Sequence, residues 1–519
     1  MISRRDFLAA VGAAGGAGAM FATMGALGLA PAAMGTPDYR PPRPSDFALS
    51  GRAAAKVIVL GGGIAGLASA YELGKAGYDC TVLEARHVAG GRNFTVRGNT
   101  RQTDLDGNTQ VGQFSDGEYM NAGPARLAQW MVTLDYCREL GVLLEVFTNV
   151  NASALIYHEG MPAPVRYRTA KADVYGYISE LLAKATDQGA LDSSLTGDDK
   201  QRLLAFLEDW GDIGSQHRYT GSTRRGFAVD PGAAGQQGNV LGPPPSLSDV
   251  LASGVGRHFS FEFSYEQAML MFQPVGGMDR IPAALVRAIG PARVRTGCAV
   301  TGITNGDNGV SVTYTRNGQP QRIDADYCVA AMPPHVTAGI PHNLGAGVQA
   351  ALSTYHGDPV GKMGLEYRSR WWETDHRIYG GITETDLDLD RVWYPSHGYH
   401  GRRGTLIGYY NTGDHAVAYG QLTPAQREAR AVAQGVRIHG DKYRTELASS
   451  FSVAWHRTPH IEGGWAINLG SPEYTRLNQP QGRVYFAGDW LTWLVTWQAG
   501  AFASARRVVT ELHERVLKS

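Results

Sequence analysis

The sequence is poor in cysteine and shows no charge bias. Its four cysteines, Cys80, Cys137, Cys298 and Cys328, lie far apart and form no paired C-x-x-C spacing. That distribution excludes a disulfide-dense scaffold and leaves no metal site to expect. Forty-eight Lys and Arg balance 48 Asp and Glu, so no basic footprint for nucleic acid exists. Beyond the N-terminal region no stretch approaches 18 uninterrupted apolar residues, the minimum for a membrane span. Glycine, by contrast, is abundant at 66 of 519 residues, with no collagen-like triplet to account for it. Much of it must serve turns and close backbone approaches. With 43% hydrophobic residues the chain can bury a large core, and its length suggests two to four domains at roughly 150 residues each.

Residues 1–32 read as an export signal. Ser3-Arg4-Arg5-Asp6-Phe7-Leu8 precedes an Ala/Gly-rich apolar stretch ending at Ala30-Pro31-Ala32, an A-x-A cleavage pattern. The segment resembles a twin-arginine signal, which implies folding in the cytoplasm around a tightly held cofactor and then export to the periplasm or the medium. A retained membrane anchor is the alternative, although a run so rich in Gly and Ala gains little from lipid burial.

Lys56-Val57-Ile58-Val59-Leu60 has the unbroken aliphatic pattern of a strand buried on both faces of a parallel sheet. Gly61-Gly62-Gly63-Ile64-Ala65-Gly66 follows at once. Gly61 suits a tight turn, Gly63 the approach of backbone to a pyrophosphate, and Gly66 the close packing of the next helix. A helix over about 66–76 is expected next, then a strand, Cys80-Thr81-Val82-Leu83, ending in Glu84. Glu84 lies 23 residues after Gly61, where a carboxylate can accept hydrogen bonds from ribose hydroxyls. Together these elements form one dinucleotide-binding unit.

Glu84-Ala85-Arg86 runs on to Gly90-Gly91-Arg92, and here the chain resembles the flavin-containing amine oxidase family, in its L-amino acid oxidase-like branch. The resemblance implies FAD as cofactor, with Ala85, Arg86, Gly91 and Arg92 at the cofactor beside Ile64 and Ala65. Near the C-terminus, Arg483-Val484-Tyr485-Phe486-Ala487-Gly488-Asp489, followed by a helix over about 498–516, is similar to the family's second flavin motif. That similarity implies Gly488 and Asp489 at the cofactor. Pro274-Val275-Gly276-Gly277-Met278-Asp279 resembles a third family segment, and the strand after it would set Val300 beside the adenine. No cysteine follows Cys328, so noncovalent FAD is expected.

The resemblance extends to a substrate side. Gly123-Pro124-Ala125-Arg126 is similar to a segment in which L-amino acid oxidases grip the substrate carboxylate with arginine, a choice suited to the guanidinium's parallel donors. Asp390-Arg391-Val392-Trp393-Tyr394-Pro395 resembles a segment supplying a tyrosine hydroxyl as second donor. Tyr394 is the candidate, with Trp393 the alternative if the register slips by one. Lys362 stands alone in an apolar strand-like run, and the family places a lysine there near the flavin through a water. Trp497 and Trp465 would wall the substrate amine against the flavin. Thr496 departs from the family, which often has glycine before that aromatic. Arg218, Arg224, Arg225, His258 and Glu262, in a Gly/Pro-rich region, are open candidates for the pocket mouth, where arginines would favour an acidic substrate.

The fold expected is α/β: a Rossmann-like FAD-binding domain assembled from residues 52–115, 274–345 and 465–519, a mixed-sheet substrate domain from 116–164 and 346–464, and a helical insertion over 165–273. The activity implied is oxidation of an L-amino acid by hydride transfer to FAD, with hydrolysis to a 2-oxo acid and ammonia and reoxidation by O2 to hydrogen peroxide. The rivals are an oxidase of amines that lack a carboxylate, an amino-acid 2-monooxygenase giving an amide, and a flavoprotein that is non-catalytic or passes electrons as a dehydrogenase without rapid reaction with O2. Small-molecule amines or amino acids and O2 are thus the expected partners, and a homodimer is common among such relatives.

Overall fold

A computed structural model of the chain describes residues 55–267 and 270–518, so the export signal expected over 1–32 lies outside the described residues. Five parallel strands form the first sheet, in the order Val294–Arg295, Asp79–Leu83, Lys56–Leu60, Tyr327–Ala330, Val484–Phe486. They come from three separated stretches of chain. The central strand is buried from Val57 to Leu60, as its aliphatic run requires.

Helix Ile64–Lys75 follows the central strand and packs against helices Arg280–Ile289 and Gln498–Lys518. The glycines between strand and helix have steric causes. Gly61 adopts a left-handed φ of 98°, open to glycine at little cost. A Cβ on Gly66 would stand 2.1 Å from the Gly61 carbonyl oxygen and 3.1 Å from Val59 Cγ1, so only glycine lets the helix start this close to the strand.

The second sheet has seven strands, in the order Val165–Arg166, Leu155–Tyr157, Ile382–Thr385, Arg391–Trp393, Gly404–Thr412, Val360–Tyr367, Leu447–Ala454. It is mixed: Leu155–Tyr157 and Ile382–Thr385 run parallel, and the remaining pairs are antiparallel. Strand Val360–Tyr367 is buried along its whole length. Helices Tyr167–Asp187 and Gly197–Gly211 lead the intervening region, the second opened by a reciprocal Thr196–Asp199 cap. That region ends in strand Leu270–Pro274, which pairs with Leu127–Ala128 and Leu144–Thr148 and so ties it to the Arg126 segment.

All four cysteines are buried and unpaired. No helix among the described residues is long and apolar enough to cross a membrane.

Gly66→Ala should destabilise the protein by at least about 1–3 kcal/mol, because the added methyl has no space beside Gly61. The check is the midpoint of thermal unfolding, and an unchanged midpoint would show that the helix can slide away from the strand.

Candidate functional site

A cavity of about 490 Å³ opens between the two sheets, and residues far apart in sequence meet in its wall. At one end stand Gly61, Gly63, Ile64 and Ala65 of the strand-to-helix turn, with Glu84, Ala85, Gly91 and Arg92. A Cβ on Gly63 would project into open space, so the backbone here is bare to whatever the cavity holds. Glu84 is fixed by two backbone donors, Gly62 N–H to Oε2 at 2.7 Å and Arg86 N–H to Oε1 at 2.8 Å. Burial raises its carboxyl pKa, an effect those two bonds offset only in part. Gly66 and Arg86 are not in the wall. Gly66 lies beneath the turn, and Arg86 donates from Nη1 to the Gly91 carbonyl at 2.9 Å, holding the Gly-Gly-Arg loop in place.

Val300 lines the same end from strand Cys298–Asn305. Gly488 and Asp489 close the wall from the C-terminal segment, where Asp489 is ion-paired to Arg92 and accepts from Thr496 N–H at 3.1 Å. Thr496 has φ +74°, a left-handed conformation that costs a β-branched residue about 1–2 kcal/mol and suits glycine. The Asp489 carboxylate helps to hold that backbone in place. Four polar atoms of wall residues are buried without a partner among the described residues, Gln498 Oε1, His335 Nδ1, Trp393 Nε1 and Gln267 Oε1. Orphaned buried groups of this kind are expected where a polar ligand completes the hydrogen bonding.

The other end is aromatic and cationic. Lys362 projects from its buried strand, donates from Nζ to the Gly123 carbonyl at 2.5 Å, and lies 4.7 Å from the Trp393 ring centroid and 4.5 Å from that of Tyr410. Burial first, and then the neighbouring Arg126 charge, lower its pKa to about 7. Arg126 donates to Asn149 Oδ1 at 2.6 Å and stacks over Trp393 at 4.9 Å and Phe261 at 5.2 Å. Partly exposed, it lines the cavity, and it makes no ion pair among the described residues. Burial lowers even this guanidinium, to about 10. Trp465 and Trp497 complete the wall.

Tyr394 is not there. Strand alternation turns it to the opposite face of the sheet from Trp393, where its hydroxyl meets Thr383 Oγ1 at 2.8 Å and His439 Nε2 at 2.6 Å in the core. Trp393, the alternative, is the one in the wall, together with Tyr410, which no motif announced.

The charged candidates for the pocket mouth are also elsewhere. Arg225 is buried against Asp173 at 2.6 Å, and Arg224 binds the Trp210 carbonyl at 2.9 Å. Arg218 is exposed, Glu262 pairs with Lys171, and His258 meets His158 at 2.8 Å. The charged side chain that does line the Arg126 end from this region is Glu266.

Residues 64–513 match the model of the flavin containing amine oxidoreductases. The chain belongs to that family. Membership carries a flavin cofactor, FAD, and oxidoreductase activity with it. A putative L-amino-acid oxidase, YobN, of Bacillus subtilis (strain 168) is 25% identical over 479 residues, covering 88% of this chain and 94% of its own. The L-amino-acid oxidase of Vipera ammodytes ammodytes is 26% identical over 456 residues, 84% of this chain and 87% of its own. Among solved structures, a cyclohexylamine oxidase from Brevibacterium oxydans IH-35A superposes with a TM-score of 0.60 at 17% identity, over 89% of this chain and 99% of its own. A putrescine oxidase bound to putrescine gives 0.57 at 18% identity, over 88% and 99%. These two share the family's α/β architecture with mixed sheets.

Lys362 allows a test of its surroundings. Its folded pKa of about 7 lies below the usual ~10.4 of lysine, so between those values the unfolded chain binds a proton that the folded chain has released. Stability must therefore rise with pH across that window. Compared with Lys362→Met, the wild type should gain unfolding free energy from pH 7 towards pH ~10, measured by denaturant unfolding. A difference that does not vary with pH would contradict the depressed value.

Proposed function

We propose that the protein is an FAD-dependent L-amino acid oxidase that converts an L-amino acid to the 2-oxo acid, ammonia and hydrogen peroxide. Arg126 carries the proposal. An oxidase of simple amines has no use for an enclosed guanidinium that faces the cavity and has no anion of its own, whereas an α-carboxylate fits it with two parallel charge-assisted hydrogen bonds.

The residues present fit the cofactor. The turn from Gly61 to Gly66 and the N-terminus of its helix suit a pyrophosphate, and Glu84 a ribose. Ala85, Arg86, Gly91, Arg92, Val300, Gly488 and Asp489 shape the rest of the cradle. This FAD domain draws on residues 52–115, 274–345 and 465–519, with the substrate domain and the helical insertion built from the chain between. The cysteine in the cavity wall is Cys298, hydrogen-bonded through its N–H to the Glu84 carbonyl at 2.8 Å and so at the ribose end, which supports noncovalent attachment. When bound, FAD supplies the two-electron acceptor and, with O2, the route to peroxide.

The chain's own part is orientation and proton handling. Arg126 holds the carboxylate, with Tyr410 in place of Tyr394 as the neighbouring hydroxyl. The Trp393, Trp465 and Trp497 rings keep bulk water away and confine the amine. Lys362 Nζ, neutral above pH 7, can accept the proton that a substrate ammonium must lose before oxidation. Residues 1–32 are read as the export signal that delivers the folded holoenzyme.

Arg126→Ala should cut kcat/KM for L-amino acids by several kcal/mol, about 2–4, the scale of a lost charge-assisted contact inside a protein. Peroxide release under single-substrate conditions measures it, and activity on amines that lack a carboxylate should not fall in parallel. Equal activity of the variant on amino acids removes Arg126 from the site. A keto acid rather than an amide as product separates the oxidase from a monooxygenase.

A further inference from the structure

Charge balance at the Arg126 end of the cavity depends on one residue that the oxidase reading leaves unused. Glu266 lines the cavity beside Gln267, and its carboxylate acts on the Arg126 charge without reaching ion-pair distance of it, as does Glu384, the stronger influence, from outside the cavity wall. It makes no hydrogen bond or ion pair with any described residue. The nearby acids are already engaged, Glu262 with Lys171 and Glu384 with Arg391 at 3.0 Å, and so is Asp489 at the other end of the cavity, with Arg92.

Before substrate arrives, Glu266 offsets part of the Arg126 charge across the cavity. An incoming α-carboxylate takes over that role and leaves Glu266 facing a second anion. Lys362 cannot restore the balance, because it is hydrogen-bonded to Gly123 and seated between the Trp393 and Tyr410 rings. A substrate with a neutral side chain leaves the Glu266 carboxylate uncompensated in a partly enclosed pocket, and one with an acidic side chain adds a third negative charge. A cationic side chain satisfies every group present.

We infer that Glu266 is a specificity residue that pairs with the side-chain cation of the substrate and selects basic L-amino acids, the class of lysine, ornithine and arginine. The inference rests on the amino-acid oxidase reading and gives its pocket a direction opposite to the one that mouth arginines would have set.

Peroxide formation by the FAD-loaded enzyme is to be measured with L-lysine, L-arginine, L-norleucine, L-glutamate and cadaverine, for the wild type and for Glu266→Gln and Glu266→Asp. Norleucine keeps the length of the lysine side chain without its charge. The wild type should prefer lysine or arginine to norleucine, and glutamate should be the poorest amino acid. Glu266→Gln should lower kcat/KM for the basic substrates by ten-fold or more while norleucine stays within about two-fold, and Glu266→Asp should recover part of the loss. The flavin content of each variant, read from its absorbance, establishes that the fold is intact. A wild type that prefers norleucine, or a Glu266→Gln variant that loses lysine and norleucine equally, overturns the role of Glu266 and leaves the oxidase reading standing. Oxidation of cadaverine with no amino acid oxidised overturns both.

Discussion

A guanidinium enclosed by protein, with no ion-pair partner among the described residues, is the constraint around which the substrate end of this molecule is organised. Withdrawing a cation from water is costly unless a counter-charge or hydrogen bonds replace the lost solvation. Arg126 receives only partial replacement: one bond to Asn149, the faces of Trp393 and Phe261, and Glu384 and Glu266 at a distance. Its lowered pKa of about 10 reports the deficit. Lys362, which shares the Trp393 ring with Arg126, answers the same pressure by becoming neutral near pH 7. Arginine cannot follow it at any ordinary pH. The chamber therefore keeps one permanent positive charge and one adjustable one, the combination needed to anchor an anion while relieving an ammonium of its proton.

The two sheets make that chamber possible by dividing the work. Parallel strands from three stretches of chain bring Gly63, Glu84 and Asp489 to one end, where backbone is bare and polar atoms lack partners. The mixed sheet supplies Lys362, Trp393 and Tyr410 from neighbouring strands, so their spacing is set by strand pairing rather than by loops. Arg92 and Thr496 both meet Asp489, which joins the Gly-Gly-Arg loop to the segment carrying Trp497. The strained φ at Thr496 shows that this join is held against the local preference of the residue.

How much of this could be read from residues alone follows the reach of the forces involved. The turn from Gly61 to Gly66 was legible because strand, turn and helix are adjacent in sequence and their steric demands are local. Arg126, Lys362, Trp465 and Trp497 were legible because each stands beside a short motif that resembles a family pattern. Tyr394 was misplaced for a physical reason: in a strand, consecutive residues face opposite sides, and no local feature of Arg391-Val392-Trp393-Tyr394 states which side is the cavity. Tyr410 is the seventh residue of a nine-residue strand, Gly404–Thr412, with nothing to separate it from an ordinary core tyrosine. Glu266 lies between short elements in irregular chain, brought to the cavity by the strand Leu270–Pro274 that follows, so its position depends on tertiary pairing that no periodicity encodes.

Titration of the holoenzyme with a simple carboxylate that has no amine, followed through the flavin absorption spectrum, tests the central claim most directly. If Arg126 waits for an anion, the carboxylate should bind saturably, compete with amino-acid substrate, and lose at least ten-fold in affinity when Arg126 is replaced by glutamine, a change of about 1.4 kcal/mol or more. Carboxylate binding of equal strength in wild type and Arg126→Gln would contradict the account.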